Sequence, residues 1–356
     1  MSALLEVRNL SKVYGGGLFR TKQADVTVAL DSVTYSIPDD RPTITAVAGE
    51  SGSGKSTLAM VMMGFVPPTS GNVLYRGHDL ATMSRAERRQ FRREVQPIFQ
   101  DPYEAFNPFY RVDHVLTTPL KRFGLAHSAA EGRRLIEEAL ERVGLRPNET
   151  LGRFPHQLSG GQRQRIGVAR ALLCRPKVII ADEPVSMVDA SLRATILGSL
   201  QILNRDFGIS IIYITHDLTT AYQISENIIV LYRGSVVEAG AVEAVVHRPK
   251  HPYTRLLISS IPLPNRTRQW GRDGAGELET AAHPAGDGCP FAPRCPNVME
   301  VCWQRRPPLF VPEDHCAVAC FLYEGSGVLS SADVAHVFPQ DGEPVRQGRD
   351  TGKGAA

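Results

Sequence analysis

The chain has 356 residues, more than a typical single domain, which favours one large domain with an appendage, or two domains. Hydrophobic residues make up 42% and charged residues 22%, as in an ordinary globular protein, and a formal net charge of +3 is too small to indicate a nucleic-acid partner. Since no apolar run approaches the roughly 20 residues of a membrane-spanning helix and the N-terminus lacks a secretion-signal pattern, we expect a cytoplasmic protein.

Predicted strands and helices alternate along most of the chain. The strands are predicted at 4–7, 26–37, 43–48, 72–76, 95–99, 177–182, 210–215, 227–232 and 235–238, and the helices at 55–65, 129–143, 160–173, 191–206 and 218–225. Such alternation predicts an α/β fold, here with an antiparallel β-rich portion near the N-terminus.

Composition predicts three parts. Residues 1–261 form the main domain, and a helix-rich stretch at about 101–158 is read as a helical insertion within it. Residues 262–324 form a C-terminal extension that opens with a linker rich in Gly, Pro and polar residues. Residues 325–356 are rich in Gly, Ser and Asp, and we expect them to be disordered.

A glycine-rich loop carries the strongest local signal. It reads GESGSGKS at residues 49–56, after the apolar run TITAVA and before the helical run TLAMVMM. This pattern predicts a phosphate-binding loop, because glycines let backbone N–H groups converge on phosphate oxygens and the helix adds its positive end. Lys55 is predicted to reach the β- and γ-phosphates, and Ser56 to bind Mg²⁺. The predicted nucleotide contacts are Gly49, Ser51, Gly52, Gly54, Lys55, Ser56 and Thr57.

An apolar strand that ends in two acids supplies the second element. In the run KVIIADE, Asp182 lies at the carboxyl end of the strand, where open α/β sheets bind ligands, and is predicted to bind the same Mg²⁺. Glu183 follows and is predicted to orient or deprotonate the attacking water. Alone, such a pair would be a solvated strand end, but downstream of a phosphate loop it indicates nucleotide hydrolysis.

The phosphate loop alone leaves kinases and GTPases open, and a second motif decides between them. LSGGQ at residues 158–162, followed by RQR, resembles the signature of ABC ATPases and lies about one helix before the Asp182 strand, as in that family. Ser159, Gly160 and Gly161 would place a hydroxyl and backbone N–H groups at a helix start, which is another anion site. The resemblance implies that this site, with Gln162, completes the pocket of a partner subunit, so that ATP is held head-to-tail between two chains.

Four further positions resemble family residues one by one. Gln100 resembles the Q-loop glutamine, which touches Mg²⁺ or water and links the site to the membrane subunit, and His216 resembles the switch histidine that contacts the γ-phosphate. Asp189 resembles the D-loop aspartate at the dimer seam, and Tyr14 the aromatic that stacks on adenine. Singly, Gln100 could be a loop amide, His216 a structural histidine and Tyr14 a packing residue. Their order and spacing favour the functional interpretation.

Several segments resemble one branch, the ATP-binding subunits of oligopeptide/dipeptide importers. They are QDPYEAFNP, FPHQLSGGQRQRIGVARAL, DEPVSMVDASLRA, HPYTRLLISSIP and the terminal GCPFAPRCP, and the resemblance covers about residues 3–320. Residues 15–20 resemble an insertion common in one of the two paired subunits. SMVD replaces the commoner SALD, which leaves Asp189 in place. The branch also includes importers of nickel and of oligosaccharides, so the solute stays open.

The resemblance implies a set of partners and a location. ATP and Mg²⁺ would be bound together with a second ATP-binding subunit, homologous or identical. Two transmembrane permease subunits and an extracytoplasmic solute-binding protein would complete the transporter. The chain would then lie peripherally on the cytoplasmic face of the cell membrane.

Five of the six cysteines crowd into the C-terminal part, which in a reducing compartment indicates a metal or cluster site rather than disulfides. The resemblance implies that Cys289, Cys295, Cys302 and Cys320 hold a [4Fe–4S] cluster. Zinc also accepts four cysteines, and the thiols could simply pack a small lobe. Cys174 is predicted to be a small apolar core residue.

Two other classes of protein compete with a transporter subunit. A non-transport ABC ATPase usually carries two ATPase units in one chain, or long insertions between the motifs, and this sequence has a single unit with the HPYTRLL segment. An interaction protein with a dead ATP site is disfavoured because Lys55, Asp182, Glu183 and His216 are all present.

Overall fold

The computed structural model describes residues 3–15, 26–101, 103, 106–261 and 288–339. Its strands are β1 (Ala3–Tyr14), β2 (Thr27–Pro38), β3 (Ile44–Ala48), β4 (Ser70–Tyr75), β5 (His78–Asp79), β6 (Val95–Ile98), β7 (Val178–Asp182), β8 (Ser210–Thr215), β9 (Asn227–Tyr232), β10 (Ser235–Ala241), β11 (Phe310–Glu313), β12 (Cys316–Val318) and β13 (Gly327–Val328).

The α-helices follow the strands in the alternation that the sequence predicts. They are α1 (Lys55–Met62), α2 (Arg85–Glu94), α3 (Asp113–Phe123), α4 (Ala129–Arg142), α5 (Pro147–Thr150), α6 (Gly160–Leu173), α7 (Ala190–Phe207), α8 (Leu218–Ile224), α9 (Val242–His247), α10 (Pro252–Ser259) and α11 (Glu300–Gln304). Short 3-10 helices occur at Pro155–Gln157, Ala292–Arg294, Phe321–Tyr323 and Val334–Val337.

A large mixed sheet forms the centre of the fold. Within the described ranges its strand order is β13-β11-β12-β10-β9-β3-β8-β7-β6. The five strands from β9 to β6 are parallel, whereas β10 to β13 are antiparallel additions. Strands β3, β8 and β9 are buried along their whole length, as expected of parallel strands covered on both faces. The parallel strands therefore end at one common edge.

Alternate side chains of the parallel strands enter two different cores. Ile180 of β7 packs in a core with Leu58 of α1 and with the small antiparallel sheet β2-β1-β4-β5. Its neighbour Ile179 lies in the core formed with the helices, which includes Leu140 of α4 and Ile166 of α6. Burying one such side chain contributes about 1.5–3 kcal/mol. The predicted α/β fold with an antiparallel β portion is confirmed.

Residues 101–158 contain helices and no strand among their described members, and these helices pack on α6. Leu116 and Leu120 of α3 and Leu140 of α4 are buried in the same core as Ile166. Helix α3 ends at Gly124, whose φ of 66° is a left-handed conformation that glycine adopts without a Cβ penalty. The helical insertion is therefore fixed to α6, the helix that follows the signature motif.

The cysteine-rich segment, which comprises the described residues 288–324, continues the main sheet. Strand β12 pairs with β10 in the register Glu238↔Val318 and Gly240↔Cys316, so the segment is attached to the ATPase core by backbone hydrogen bonds. It also has a small core of its own, which includes Cys302, Cys320 and Phe321.

The prediction of disorder from residue 325 onward is wrong for residues 325–339. These residues form β13 and the 3-10 helix Val334–Val337, and the side chains of Val334, Val337 and Phe338 are buried. The ring of Phe338 lies 6.2 Å from that of Tyr35. The Gly and Ser residues of this stretch favour disorder, but its apolar side chains pack in one core with side chains of β2. Residues 340–356 and most of the predicted insertion at 15–20 lie outside the described residues.

Candidate nucleotide-binding site

The phosphate loop lies between β3 and α1, as the sequence predicts. Lys55 is only 5% exposed, and its Nζ donates hydrogen bonds to the carbonyl oxygens of Gly49 and Glu50 at 2.8 and 2.9 Å. Burial lowers the pKa of Lys55, while the nearby carboxylates of Glu183 and Asp182 act in the opposite direction. The ammonium group of Lys55 is thus held against the loop backbone, near the carboxylates of Asp182 and Glu183.

Two glycines of the loop are required by close backbone approach. Gly54, at the start of α1, has φ 104°, and a Cβ there would lie 2.3 Å from the carbonyl oxygen of Ala29. A Cβ on Gly49 would lie 2.3 Å from the carbonyl oxygen of Leu231. Any side chain at these positions would displace the loop, which explains the glycines of the motif in steric terms.

One polar atom of the loop is buried and unsatisfied. The Oγ of Ser53 has no hydrogen-bond partner among the described residues, and the side chain is 3% exposed. An orphaned hydroxyl costs free energy, which a bound phosphate oxygen would recover. The loop therefore fits a phosphate ligand.

Strand β7 delivers its two acids to the same edge of the sheet. Asp182 is the last residue of β7, and Glu183 follows with φ 43°, a left-handed conformation that is unusual for a residue with a Cβ. The N–H of Glu183 donates to the carbonyl oxygen of Ile214 at 2.9 Å, which holds this conformation. Strained backbone of this kind is concentrated at functional sites.

The carboxylate of Glu183 joins the ends of three strands. Its Oε2 accepts a hydrogen bond from Nε2 of Gln100 at 3.1 Å, and its Oε1 lies 2.9 Å from Nδ1 of His216. Gln100 follows β6 and His216 follows β8. Three residues that the sequence assigns to hydrolysis are therefore in direct contact, opposite Lys55.

The oxygen ligands predicted for Mg²⁺ belong to this edge. Ser56 is in the first turn of α1 and exposed, Asp182 ends β7, and Gln100 contacts the residue after Asp182. Hydroxyl, carboxylate and amide oxygens are the ligand types that Mg²⁺ prefers. The donor set fits the ion.

The signature motif forms the start of helix α6. Ser159 caps α6: its Oγ accepts from the N–H of Gln162 at 3.2 Å, and Oε1 of Gln162 accepts from the N–H of Ser159 at 2.9 Å. A Cβ on Gly160 would lie 3.7 Å from the carbonyl oxygen of Met187, and one on Gly161 would meet Leu192. In the described part of the chain, these contacts join the motif to the segment around Asp189.

Two of the predicted site residues, Asp189 and Tyr14, have exposed side chains. Asp189 precedes α7, and its side chain makes no capping hydrogen bond to that helix. Tyr14, at the end of β1, is 43% exposed, with Nζ of Lys12 5.1 Å from the ring centroid. Both side chains are accessible to a ligand or a partner, and their roles stay predictions.

Sequence reasoning missed residues that support the site from behind. Nε2 of the buried Gln164 donates to the carbonyl oxygen of Phe99 at 3.1 Å, which ties the signature helix to the residue before Gln100. Two others, Tyr253 and Arg294, contact Glu50 of the phosphate loop. Tyr253 belongs to the HPY motif, but nothing local in the sequence indicates that it reaches residue 50.

The four cysteines of the predicted cluster are close enough to affect one another. Burial, with smaller contributions from the thiols of Cys289, Cys295 and Cys302, raises the pKa of Cys320 to about 11. The N–H of Cys289 donates to the carbonyl oxygen of Cys302 at 2.7 Å. Among the described residues, however, no three His, Cys, Asp or Glu side chains are arranged to hold a metal ion.

Comparison with known proteins gives a consistent family assignment. Residues 30–186 match the model of the ABC transporter family, and residues 237–302 match that of the oligopeptide/dipeptide transporter C-terminal region. The second match contains the HPY motif and three of the predicted cluster cysteines. No described helix is both long and apolar enough to cross a membrane.

Individual relatives extend over most of the chain. The oligopeptide transport ATP-binding protein AppF of Bacillus subtilis is 36% identical over 326 residues, which cover 90% of this chain and 97% of AppF. The corresponding OppF of Escherichia coli is 41% identical over 287 residues, covering 79% and 84%. A dimeric ATP-binding cassette in a post-hydrolysis state with ADP and Pi has a TM-score of 0.59 at 28% identity, covering 67% of this chain and 98% of that one. The chain therefore belongs to the ATP-binding subunits of the oligopeptide/dipeptide family of ABC transporters.

Proposed function

We propose that the chain binds and hydrolyses ATP as a nucleotide-binding subunit that powers uptake of peptides through separate permease subunits. The observation that carries this proposal is the contact of Glu183 with both Gln100 and His216, at the sheet edge that also holds Lys55. The three side chains come from the ends of β6, β7 and β8. Their convergence near a phosphate loop is the geometry expected of a hydrolytic site.

Each residue has a distinct part in the proposed hydrolysis. Lys55 and the loop N–H groups bind the β- and γ-phosphates. Mg²⁺, held by Ser56, Asp182 and Gln100, would neutralise charge on the phosphate oxygens. Glu183 orients or deprotonates the attacking water, and His216 contacts the γ-phosphate. The hydrogen bonds of Glu183 to Gln100 and His216 hold its carboxylate at the position that this role needs.

The pocket is completed by a second ATP-binding subunit. In the described structure Gly160 lies against Met187, before α7, and Gly161 lies against Leu192 of α7, while Ser159 bonds to Gln162 of its own helix. The start of α6 nevertheless offers a hydroxyl and backbone N–H groups to an anion. In a head-to-tail pair, this anion site of each subunit would face the γ-phosphate bound by the other. The paired subunit can be an identical or a homologous chain.

The permease subunits are proposed to dock at a groove between β6, α3 and α6. The groove has a volume of 540 Å³ and is lined by Gln96 of β6, by the loop before α3 and by α3 and α6, including Phe106, Tyr110, His114 and Arg170. Phe109 is 85% exposed in the adjacent loop. Nη2 of Arg170 donates to the carbonyl oxygen of Pro97 at 2.8 Å, which connects the groove to the strand that leads to Gln100. Docking there would place the chain on the cytoplasmic face of the membrane.

Transport function is tested with the assembled complex. The chain is co-expressed with its permease subunits and its extracytoplasmic solute-binding protein, purified and reconstituted in liposomes with labelled peptide, nickel or an oligosaccharide. We expect ATP-dependent uptake of peptide that Lys55→Ala abolishes. Uptake that persists in Lys55→Ala would refute the proposed ATP site, whereas uptake of nickel or oligosaccharide alone would overturn the peptide assignment.

We further propose that Cys289, Cys295, Cys302 and Cys320 hold a [4Fe–4S] cluster, with zinc or no metal as alternatives. The proposal rests on the family resemblance and on the proximity of the four thiols, since Cys289, Cys295 and Cys302 each affect the pKa of Cys320. Anaerobic purification followed by iron, sulfide and zinc analysis decides between them. About four iron and four sulfide per chain, lost in Cys302→Ser, is the expected result; zinc alone, or neither metal, would contradict it.

A further inference from the structure

The cysteine-rich segment reaches back across the chain to the phosphate loop. Nη1 and Nη2 of Arg294 donate to Oε2 and Oε1 of Glu50 at 2.9 and 3.0 Å, an in-plane, two-bond contact between residues 244 positions apart. Arg294 ends the 3-10 helix Ala292–Arg294, between Cys289 and Cys295. The hydrogen bonds that Arg294 donates to the Glu50 carboxylate raise the pKa of Arg294, so the guanidinium stays charged.

A residue of helix α10, Tyr253, contacts the same loop residue. The hydroxyl of Tyr253 accepts a hydrogen bond from the N–H of Glu50 at 2.8 Å, and Tyr253 is fully buried. Its ring packs against those of Tyr232 and Phe291, with centroids 4.5 and 5.5 Å away. Because Phe291 belongs to the cysteine-rich segment and Tyr232 to β9, the hydroxyl is held by elements from both parts of the chain.

The segment that carries Tyr253 is itself fixed by buried polar contacts. Nδ1 of His251 accepts from the N–H of Tyr253 at 3.0 Å and caps α10. The two carboxylate oxygens of Glu238 accept from the N–H groups of Lys250 and His251 at 2.8 and 2.9 Å. His251 therefore fixes the start of α10, and Tyr253 connects that helix to the phosphate loop.

Glu50 is connected to the catalytic lysine. The carbonyl oxygens of Glu50 and Gly49 accept both hydrogen bonds of Nζ of Lys55. We propose that Arg294 and Tyr253 form a brace on Glu50 that positions the phosphate loop, so that the C-terminal region sets the affinity of the chain for ATP. This inference rests on the proposed ATP site, and within it Arg294 is a positioning residue that acts through Glu50.

The test separates the brace from general stability. In the full-length chain, Arg294→Gln and Glu50→Gln are each expected to raise the dissociation constant of a fluorescent ATP analogue and the KM for ATP by about tenfold, with kcat changed less than about twofold. The double variant should be no worse than either single variant, because both remove the same contact. Arg294→Lys, which keeps the charge but not the two-bond geometry, should recover part of the affinity.

Arg305→Gln is the matched control. Arg305 also lies in the cysteine-rich segment, but in the described structure its guanidinium pairs with Glu324 at 2.7 Å and not with the phosphate loop. Its KM should equal that of the unmodified chain. Equal KM values for Arg294→Gln and Arg305→Gln, or additive effects in the double variant, would overturn the brace.

Two further comparisons keep the result unambiguous. If Arg294→Gln fails to fold by circular dichroism, Glu50→Gln removes the same contact without altering the cysteine-rich segment, and an unchanged KM for it overturns the proposal. Lys55→Ala reports on the ATP site itself. Normal ATP binding by Lys55→Ala would refute that site, whereas lost binding there with an unchanged KM in Glu50→Gln would refute the brace alone.

Discussion

Nδ1 of His216 lies 2.9 Å from Oε1 of Glu183, although the two residues are 33 positions apart in the chain. The other oxygen of the same carboxylate accepts from Gln100. Because a carboxylate accepts hydrogen bonds, Nδ1 of His216 donates to Glu183, and Nε2 of His216 is left to contact a ligand. The carboxylate that we propose to activate water is therefore oriented by two side chains from neighbouring strand ends.

Glu183→Gln is expected to lower ATP turnover by roughly 10²- to 10⁴-fold, because the amide keeps the size of the side chain but cannot take a proton from water. ATP binding should persist, since Lys55 and the loop are unchanged. Phosphate release and nucleotide retention are the measurements. Glu243→Gln, at an exposed acid of α9, is the control. Hydrolysis by Glu183→Gln at the unmodified rate would refute the role of Glu183.

His216→Ala should also reduce turnover, by about 10²-fold or more, since it removes both the γ-phosphate contact and one of the hydrogen bonds that orient Glu183. His247→Ala serves as the matched control because His247 makes an exposed contact with Tyr222 at 3.1 Å, on another surface. Steady-state kinetics of the two variants decides the matter, and equal turnover in both would contradict the assignment.

Ser159→Ala is expected to abolish ATP-dependent dimerisation. The change also removes a helix cap, which costs about 1 kcal/mol of stability. Ser128→Ala is matched in this respect, because Oγ of Ser128 caps α4 by accepting from the N–H of Glu131 at 3.1 Å. In a Glu183→Gln background with ATP, size-exclusion chromatography should show a dimer for Ser128→Ala and a monomer for Ser159→Ala. A dimer in both cases would count against a signature site shared between subunits.

Glu238 predicts a pH-dependent stability. Burial raises its pKa from 4.5 to about 7, although the N–H groups of Lys250 and His251 donate to its carboxylate. The folded chain then binds this proton more tightly than the unfolded chain, so the free energy of unfolding falls as pH rises from 4.5 to about 7. Between about pH 5 and about pH 8, the loss attributable to this residue is at most about 3 kcal/mol.

Urea unfolding of the unmodified chain and of Glu238→Gln at these two pH values measures that loss. From the lower to the higher pH, the free energy of unfolding of the unmodified chain should fall relative to that of Glu238→Gln. Glu243→Gln, which is exposed, should show no such shift. A difference that is equal at both pH values would mean that Glu238 does not titrate between them.

Phe338→Ala tests whether residues 325–339 belong to the fold. Phe338 is 6% exposed and packs near Tyr35, so its truncation should lower the free energy of unfolding by about 3–5 kcal/mol. Val328→Ala, at a side chain 57% exposed, should change it by less than about 0.5 kcal/mol. Equal stabilities of the two variants by urea unfolding would show that the segment does not pack as described.

The sequence by itself determined the parts of this protein whose chemistry is local. A phosphate loop needs glycines, a lysine and a following helix within a few residues, and the sequence of residues 49–62 contains all three. The alternation of apolar runs likewise predicts the strands and helices, because buried parallel strands need continuous apolar side chains. Asp182, Glu183 and His216 could be named because each ends or follows such a run.

Tertiary structure alone decided which distant residues meet. The pairing of Arg294 with Glu50 spans 244 positions, and no local pattern indicates it. It arises because Phe291 packs on Tyr232 of β9 and on Tyr253, which holds the adjacent Ala292–Arg294 turn beside the phosphate loop. The Gly and Ser residues of 325–339 favour disorder, yet Val334, Val337 and Phe338 are buried in one core with side chains of β2. Burial depends on the surface that a segment meets, and that surface is set by the topology of the whole sheet.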